Sequence, residues 1–128
     1  MVSQACKTFD NRDHAPSEAR RFIGECLDAR GITDLKARIL LAVSELTTNA
    51  VVHGSGPIDV AMDVTSDRLR VTVTDDGSGT PAPHMPHPGS SEAGGWGLQL
   101  VDTLADDWGT ERRNGRTIVW FEHALPSG

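Results

Sequence analysis

Leu41-Ala42-Val43-Ser44-Glu45-Leu46-Thr47-Thr48-Asn49-Ala50-Val51-Val52-His53-Gly54 is the stretch on which the reading of this chain turns. With the residues just before it, it carries an apolar stripe of Leu35, Ile39, Leu40, Val43, Leu46, Ala50 and Val51 at the spacing of an amphipathic helix. Thr33 or Asp34 offers a capping side chain at the start, and Gly54 stops the helix. Glu45 and Asn49 stand four apart and therefore project from one face, with Arg38, Ala42 and His53 on nearly the same stripe, away from the apolar one. A carboxylate beside an amide oxygen can orient water and ligate a hard cation such as Mg2+. The same pair also fits a solvated helix face with an Arg38–Glu45 contact.

Working outward, residues 4–9 predict a short strand, with a turn over 10–14. A helix then runs from Pro16, with Ala19, Phe22, Ile23, Cys26 and Leu27 on one face and Gly31 at its end. After Gly54 the apolar period drops to two. Ile58, Val60, Met62 and Val64, then Leu69, Val71 and Val73, predict two strands joined near Ser66-Asp67. Residues 77–95 are rich in Gly, Pro, Ser and His and poor in core-building side chains, as in a disordered segment or a functional lid. Leu98, Leu100, Val101 and Leu104 predict a third helix from about Trp96. Two closing strands follow, over about 107–113 and 117–123, joined by an Asn114-Gly115 hairpin turn. The expected fold is an α+β two-layer sandwich: a mostly antiparallel, mixed sheet with three helices on one face and a Pro/Gly/His-rich lid, one domain over residues 1–128.

Two further motifs carry chemistry. Asp75-Asp76-Gly77-Ser78-Gly79 follows directly on a strand, so a buried Asp75 carboxylate could accept a hydrogen bond from an exocyclic amine such as adenine's. Such an acceptor discriminates, because a ligand without the donor leaves a buried charge unpaired. Gly77 and Gly79 permit close backbone approach, although Asp-Gly after a strand is also common turn chemistry. Gly94-Gly95-Trp96-Gly97-Leu98 opens the third helix, where successive N–H groups can cradle phosphate, or simply form a hinge. Neither a Walker A loop nor a dinucleotide fingerprint is present.

In this order, E-x-x-x-N, D-x-G-x-G after a strand, a lid and G-x-G-L opening a helix resemble the GHKL ATPase superfamily of gyrase and the histidine kinases. The stretch from Leu41 to Gly54 is similar to the corresponding box of the bacterial anti-sigma-factor serine/threonine kinases of the sporulation and stress-response type. The resemblance covers about residues 5–123, including the closing Gly115-Arg116-Thr117-Ile118-Val119-Trp120-Phe121-Glu122. It implies ATP and Mg2+ as cofactors. Asn49 would coordinate the metal, and Glu45 would be the catalytic base or polarise the attacking hydroxyl. Asp75 would take the adenine amine, with Gly77 and Gly79 shaping that wall. Gly95, Gly97 and Leu98 would form the phosphate-facing turn, and Thr117 would support the adenine end through its hydroxyl.

The implied activity is phosphorylation of a serine on an antagonist protein, with regulation of a sigma factor by partner switching. The partners would be that sigma factor and the anti-sigma-factor antagonist, and a homodimer is consistent with the family. The rival reading is a non-catalytic, ATP-gated protein-binding module; a third is a fold that no longer binds nucleotide. No basic residue lies between Arg70 and Arg112, so a cation assisting the γ-phosphate would come from Arg20, Arg38 or a partner. A self-contained histidine kinase, with its phospho-acceptor helix pair, does not fit in 128 residues.

Composition agrees with that reading. Twelve Lys and Arg against 18 Asp and Glu give a net charge of −6, which argues against direct nucleic-acid or anionic-membrane binding. An anionic ligand held by backbone N–H groups is still allowed. No apolar run approaches the roughly 20 residues of a membrane span, and the first residues lack a signal peptide's apolar core. Cys6 and Cys26 are too few for a disulfide framework and read as reduced thiols of a cytoplasmic protein. His84 and His87, among prolines, read as solvated loop residues rather than a metal pair. Trp96, Trp108 and Trp120 read as packing residues, Trp96 lying inside the phosphate turn.

Overall fold

Strict alternation in two neighbouring segments builds the sheet. Ile58, Val60, Met62 and Val64, with Leu69, Val71 and Val73, turn one way and are buried, while the residues between them are partly exposed. The computed structural model describes residues 3–77 and 100–126. Its elements are β1 (Ser3–Phe9), α1 (Ala15–Ala29), α2 (Lys36–His53), β2 (Ile58–Val64), β3 (Arg68–Asp75), β4 (Asp107–Arg113) and β5 (Arg116–Ala124). Residues 100–104 are helical as well, at the place of the predicted third helix; its start lies outside the described residues.

The five strands run in the order β1-β2-β3-β5-β4, and every pairing is antiparallel. The mostly antiparallel, mixed sheet expected from the sequence is antiparallel throughout: β2–β3 and β4–β5 are hairpins, and β1 pairs with β2 after the chain has passed through both helices. The remaining pair is β3 with β5: the chain crosses from β3 to the edge strand β4, then returns as β5 into the space between. That crossover brings the end of β3 beside the start of β5.

The helices cover one face of the sheet. Ile23 and Leu27 of α1 and Ile39, Val43 and Leu46 of α2 join Phe121, Met62 and Val71 in the core. Each such side chain contributes about 1.5–3 kcal/mol of burial. Phe9 of β1 meets Phe22 of α1 edge-on, with centroids 6.1 Å apart. The buried stripe of α2 also includes Ala42 and Thr47, whose hydroxyl donates to the Val43 carbonyl at 2.7 Å. This corrects the sequence reading, which set Ala42 on the polar face. Leu35, Leu40 and Val51 only flank the core. The start of α2 also differs: Leu35 is the N-cap, and neither Thr33 nor Asp34 makes a side-chain cap. The stop at Gly54 and the Asn114-Gly115 turn stand where predicted, both turn residues having positive φ as a two-residue hairpin requires.

On the opposite face lies a network of ion pairs. Arg68 and Arg70 each reach Glu122 at 2.6 Å, and the Arg70 guanidinium stacks 4.1 Å from the Trp120 ring centre. Burial pushes the Glu122 carboxyl up, but the two arginines together outweigh that and hold it below its ordinary range. Arg116 bridges Asp59 at 2.7 Å and Asp76 at 2.9 Å, which ties β2 to the residue following β3. Trp108 and Trp120 are both half-buried, as packing residues would be.

Candidate functional site

Asp75 ends β3, and its Cα partner across the ladder is Thr117, near the start of β5. Both are buried on the helix-covered side of the sheet. Two glycines leave room for the carboxylate. The Gly77 N–H donates to Asp75 Oδ1 at 2.6 Å, and a Cβ on Gly77 would sit 2.6 Å from that same oxygen. A Cβ on Gly54, at the end of α2, would collide with the Asp75 carboxylate and come within 2.7 Å of the Ala50 carbonyl oxygen. Only glycine fits either position without displacing the acid.

The loop after α2 is fastened to this corner. The Asp76 N–H donates to the Ser55 carbonyl at 2.8 Å, and the Ser55 hydroxyl donates to the Asp76 carbonyl at 3.2 Å. Asn11 reaches in from the β1–α1 turn and donates to the Gly56 carbonyl at 3.1 Å. Burial raises the Asp75 carboxyl above its ordinary value, although the backbone N–H groups of Gly77 and Ser55 draw it partly back. A carboxylate desolvated in this way, packed against a glycine on each side, is a demanding acceptor for an N–H donor.

Glu45 and Asn49 lie on α2, both half-buried and one turn apart. The Asn49 Nδ2 is buried with no hydrogen-bond partner, an unmet polar group beside Glu45 that a bound group would satisfy. Glu45 makes no ion pair among the described residues, so the Arg38–Glu45 contact is not formed. Arg38 instead faces His123 at the other end of α2. It stands eleven residues from Asn49, roughly 16 Å along the axis. Arg20 lines a groove between α1 and α2 together with Lys36 and Leu41. Neither arginine is placed beside Asn49.

Glu45, Asn49, Asp75, Gly77 and Thr117 thus share the end of the sandwich formed by the second half of α2 and the β3–β5 ends. Gly79, Gly95, Gly97 and Leu98 lie outside the described residues, as do His84, His87, Trp96 and the lid. Two residues went unnoticed in the sequence. The sequence pattern marks Gly54 only as a helix stop, although the acid needs the space it leaves. Arg112 of β4 donates to the Gly77 carbonyl at 3.2 Å and to the Thr117 hydroxyl at 3.3 Å. Counting back from the Asn114-Gly115 turn already pairs Arg112 with Thr117, so the signal was present in the hairpin register.

The glycine cradle around a buried carboxylate fits a purine base carrying an exocyclic amine. Among the described residues no group of three or more His, Cys, Asp or Glu could hold a metal ion. The Asn49 amide oxygen and the Glu45 carboxylate are hard oxygen donors of the kind that Mg2+ takes alongside several waters.

Comparison with known proteins agrees with this geometry. Residues 9–122 match the model of the histidine kinase-like ATPase domain, and the chain belongs to that family. It is 33% identical over 107 residues to the serine-protein kinase RsbW of Bacillus subtilis (strain 168), with 72% of this chain and 64% of the relative covered. The RsbW of Bacillus velezensis is 34% identical over the same length. The chain therefore spans just under two-thirds of the length of these curated relatives. A crystal structure of the RsbU and RsbW domains of a Mycobacterium tuberculosis protein superposes with a TM-score of 0.73. That match covers 98% of this chain and 34% of the other at 24% identity, and the likeness shows a shared fold. No helix among the described residues is long and apolar enough to cross a membrane.

Proposed function

We propose that this chain is an ATP- and Mg2+-dependent serine kinase of the anti-sigma-factor type, which phosphorylates an antagonist protein and regulates a sigma factor by partner switching. The observation that carries the reading is the buried Asp75 carboxylate in its Gly54–Gly77 cradle at the end of α2, the helix that also carries Glu45 and Asn49. Kinship with two serine-protein kinases supports the phosphoryl-transfer part. A cytoplasmic setting suits Cys6 and Cys26, neither of which is in a disulfide.

In this reading Asp75 accepts the adenine amine and Thr117 supports the base. Asn49 would hold Mg2+ through its amide oxygen, and the bound ion would supply charge neutralisation to the phosphate groups. Glu45 accepts the proton of the incoming seryl hydroxyl as its oxygen bonds to the γ-phosphorus. The bond from that phosphorus to the departing ADP oxygen breaks, leaving phosphoserine, ADP and a protonated Glu45. Positioning and charge neutralisation supply most of the acceleration in such transfers, so few side chains suffice.

A second reading, an ATP-gated binding module without catalysis, draws on the placement of Arg38 far along α2 from Asn49. Glu45→Ala separates the two. A kinase loses phosphorylation by about 10²- to 10⁴-fold with ATP affinity retained. A gated binder shows ATP-dependent partner capture that is indifferent to Glu45.

A further inference from the structure

Arg112, Thr117 and Asp75 form one row across three adjacent strands, β4, β5 and β3. The guanidinium at one end donates to the Thr117 hydroxyl oxygen and to the Gly77 carbonyl. The carboxylate at the other end accepts from the Gly77 N–H. We infer that Arg112 is a positioning residue that sets the base preference of this pocket for adenine over guanine, acting through the Thr117 hydroxyl; the inference rests on the nucleotide-binding reading above.

A hydroxyl has one proton to give and two lone pairs to offer, whereas a guanidinium can only donate. Arg112 occupies one lone pair of Thr117 Oγ1, and its charge turns the hydroxyl proton away from itself. No Thr117–Asp75 hydrogen bond forms among the described residues, so that proton is left to point into the pocket. A base entering there meets an acceptor, Asp75, next to a donor, Thr117. Adenine presents an amine donor next to a ring-nitrogen acceptor, which matches both. Guanine presents a carbonyl acceptor next to a ring N–H donor, which opposes both. Without Arg112 the hydroxyl is free to rotate and accept, and half of the discrimination is lost. The bond to the Gly77 carbonyl serves the same end by fixing the turn whose N–H faces Asp75.

Arg112 is exposed on an edge strand, so its replacement leaves the core intact. The test is a double-mutant cycle of Arg112→Ala and Thr117→Val, read as ATP affinity with Mg2+ and as GTP competition, with thermal melts confirming folding. In the native background Arg112→Ala should weaken ATP about tenfold, the value of one lost hydrogen bond. It should also raise the affinity for GTP relative to ATP. In the Thr117→Val background the same change should alter ATP affinity clearly less than in the native background, because the hydroxyl it orients is gone and only the bond to the Gly77 carbonyl is left to lose. Arg112→Lys, which keeps one donor, should recover part of the loss. Equal effects in both backgrounds, or no effect of Arg112→Ala on ATP, would overturn the inference and leave the nucleotide site standing. Absence of ATP binding by the unsubstituted protein would remove the nucleotide reading itself and this inference with it.

Discussion

Asp75 and Thr117 are direct partners across the β3–β5 ladder, both facing the helices, although 42 residues separate them in the chain. Period-two geometry makes this pairing unforgiving, since a slip of one residue would turn either side chain to the opposite face. The core prevents the slip. Val73 opposite Val119 and Val71 opposite Phe121 lock the same register with buried apolar pairs. The stability of the sheet and the placement of the site are thus set by one alignment.

Gly54→Ala should damage the site more than the fold. The added methyl would press on the Asp75 carboxylate and the Ala50 carbonyl oxygen, at the last turn of α2. We expect ATP affinity to fall at least about tenfold, with a loss of roughly 1–3 kcal/mol in stability. Gly24→Ala is the control, because its methyl would meet Leu40 at an ordinary 3.7 Å. Calorimetry on the two variants should show impaired binding only for the first.

Base binding through Asp75 needs the ionised carboxylate, and burial raises this carboxyl above the ordinary aspartate value of 3.8. ATP affinity should therefore weaken on acidification at a higher pH than an exposed aspartate would give. Asp75→Asn should bind weakly at every pH, with that acid limb absent. A titration series by calorimetry reads both.

His123 supplies a separate pH dependence, in stability. It is buried under α2 with Nε2 unpartnered, edge-on to Phe121, and faces Arg38 and Asp106. Burial, reinforced by Arg38 and opposed by Asp106, lowers its pKa, so the folded state favours the neutral ring. The unfolded chain takes up the proton first as pH falls through 6.5, and stability declines from there down to the lowered value. The paired carboxylates Glu122 and Asp59 lose their contributions only below their ordinary values of 4.5 and 3.8. Protonating Asp75 works in the opposite direction. Denaturant unfolding between pH 7.5 and about 5 should show the decline in the native protein and its absence in His123→Leu.

Much of this was legible in the sequence because it rests on local pattern. Alternation in residues 58–64 and 69–73 and the Asn114-Gly115 turn specify strands and hairpins without reference to distant residues. The Glu45–Asn49 spacing and the Asp75–Gly77 turn were likewise local. What escaped depends on how faces rotate and meet. Ala42 looks neutral in a helical pattern, and only packing between Ile39 and Leu46 shows it to be core. The cap on α2 failed for a related reason, since Asp34 stands one residue too early for a helix whose N-cap is Leu35. Gly54 reads as punctuation until the end of β3 is seen beside it. Arg112 reads as a charge on an exposed strand until the hairpin register is extended across β5 to Asp75.

The most direct measurement is calorimetric titration of ATP with Mg2+ into the native protein and into Asp75→Asn. We expect saturable binding by the native protein and a loss of at least about tenfold in the variant, as removal of a buried charged hydrogen bond requires. Equal binding by both folded proteins, or none by the native one, would contradict the assignment of the Asp75–Thr117 corner as an adenine-nucleotide site.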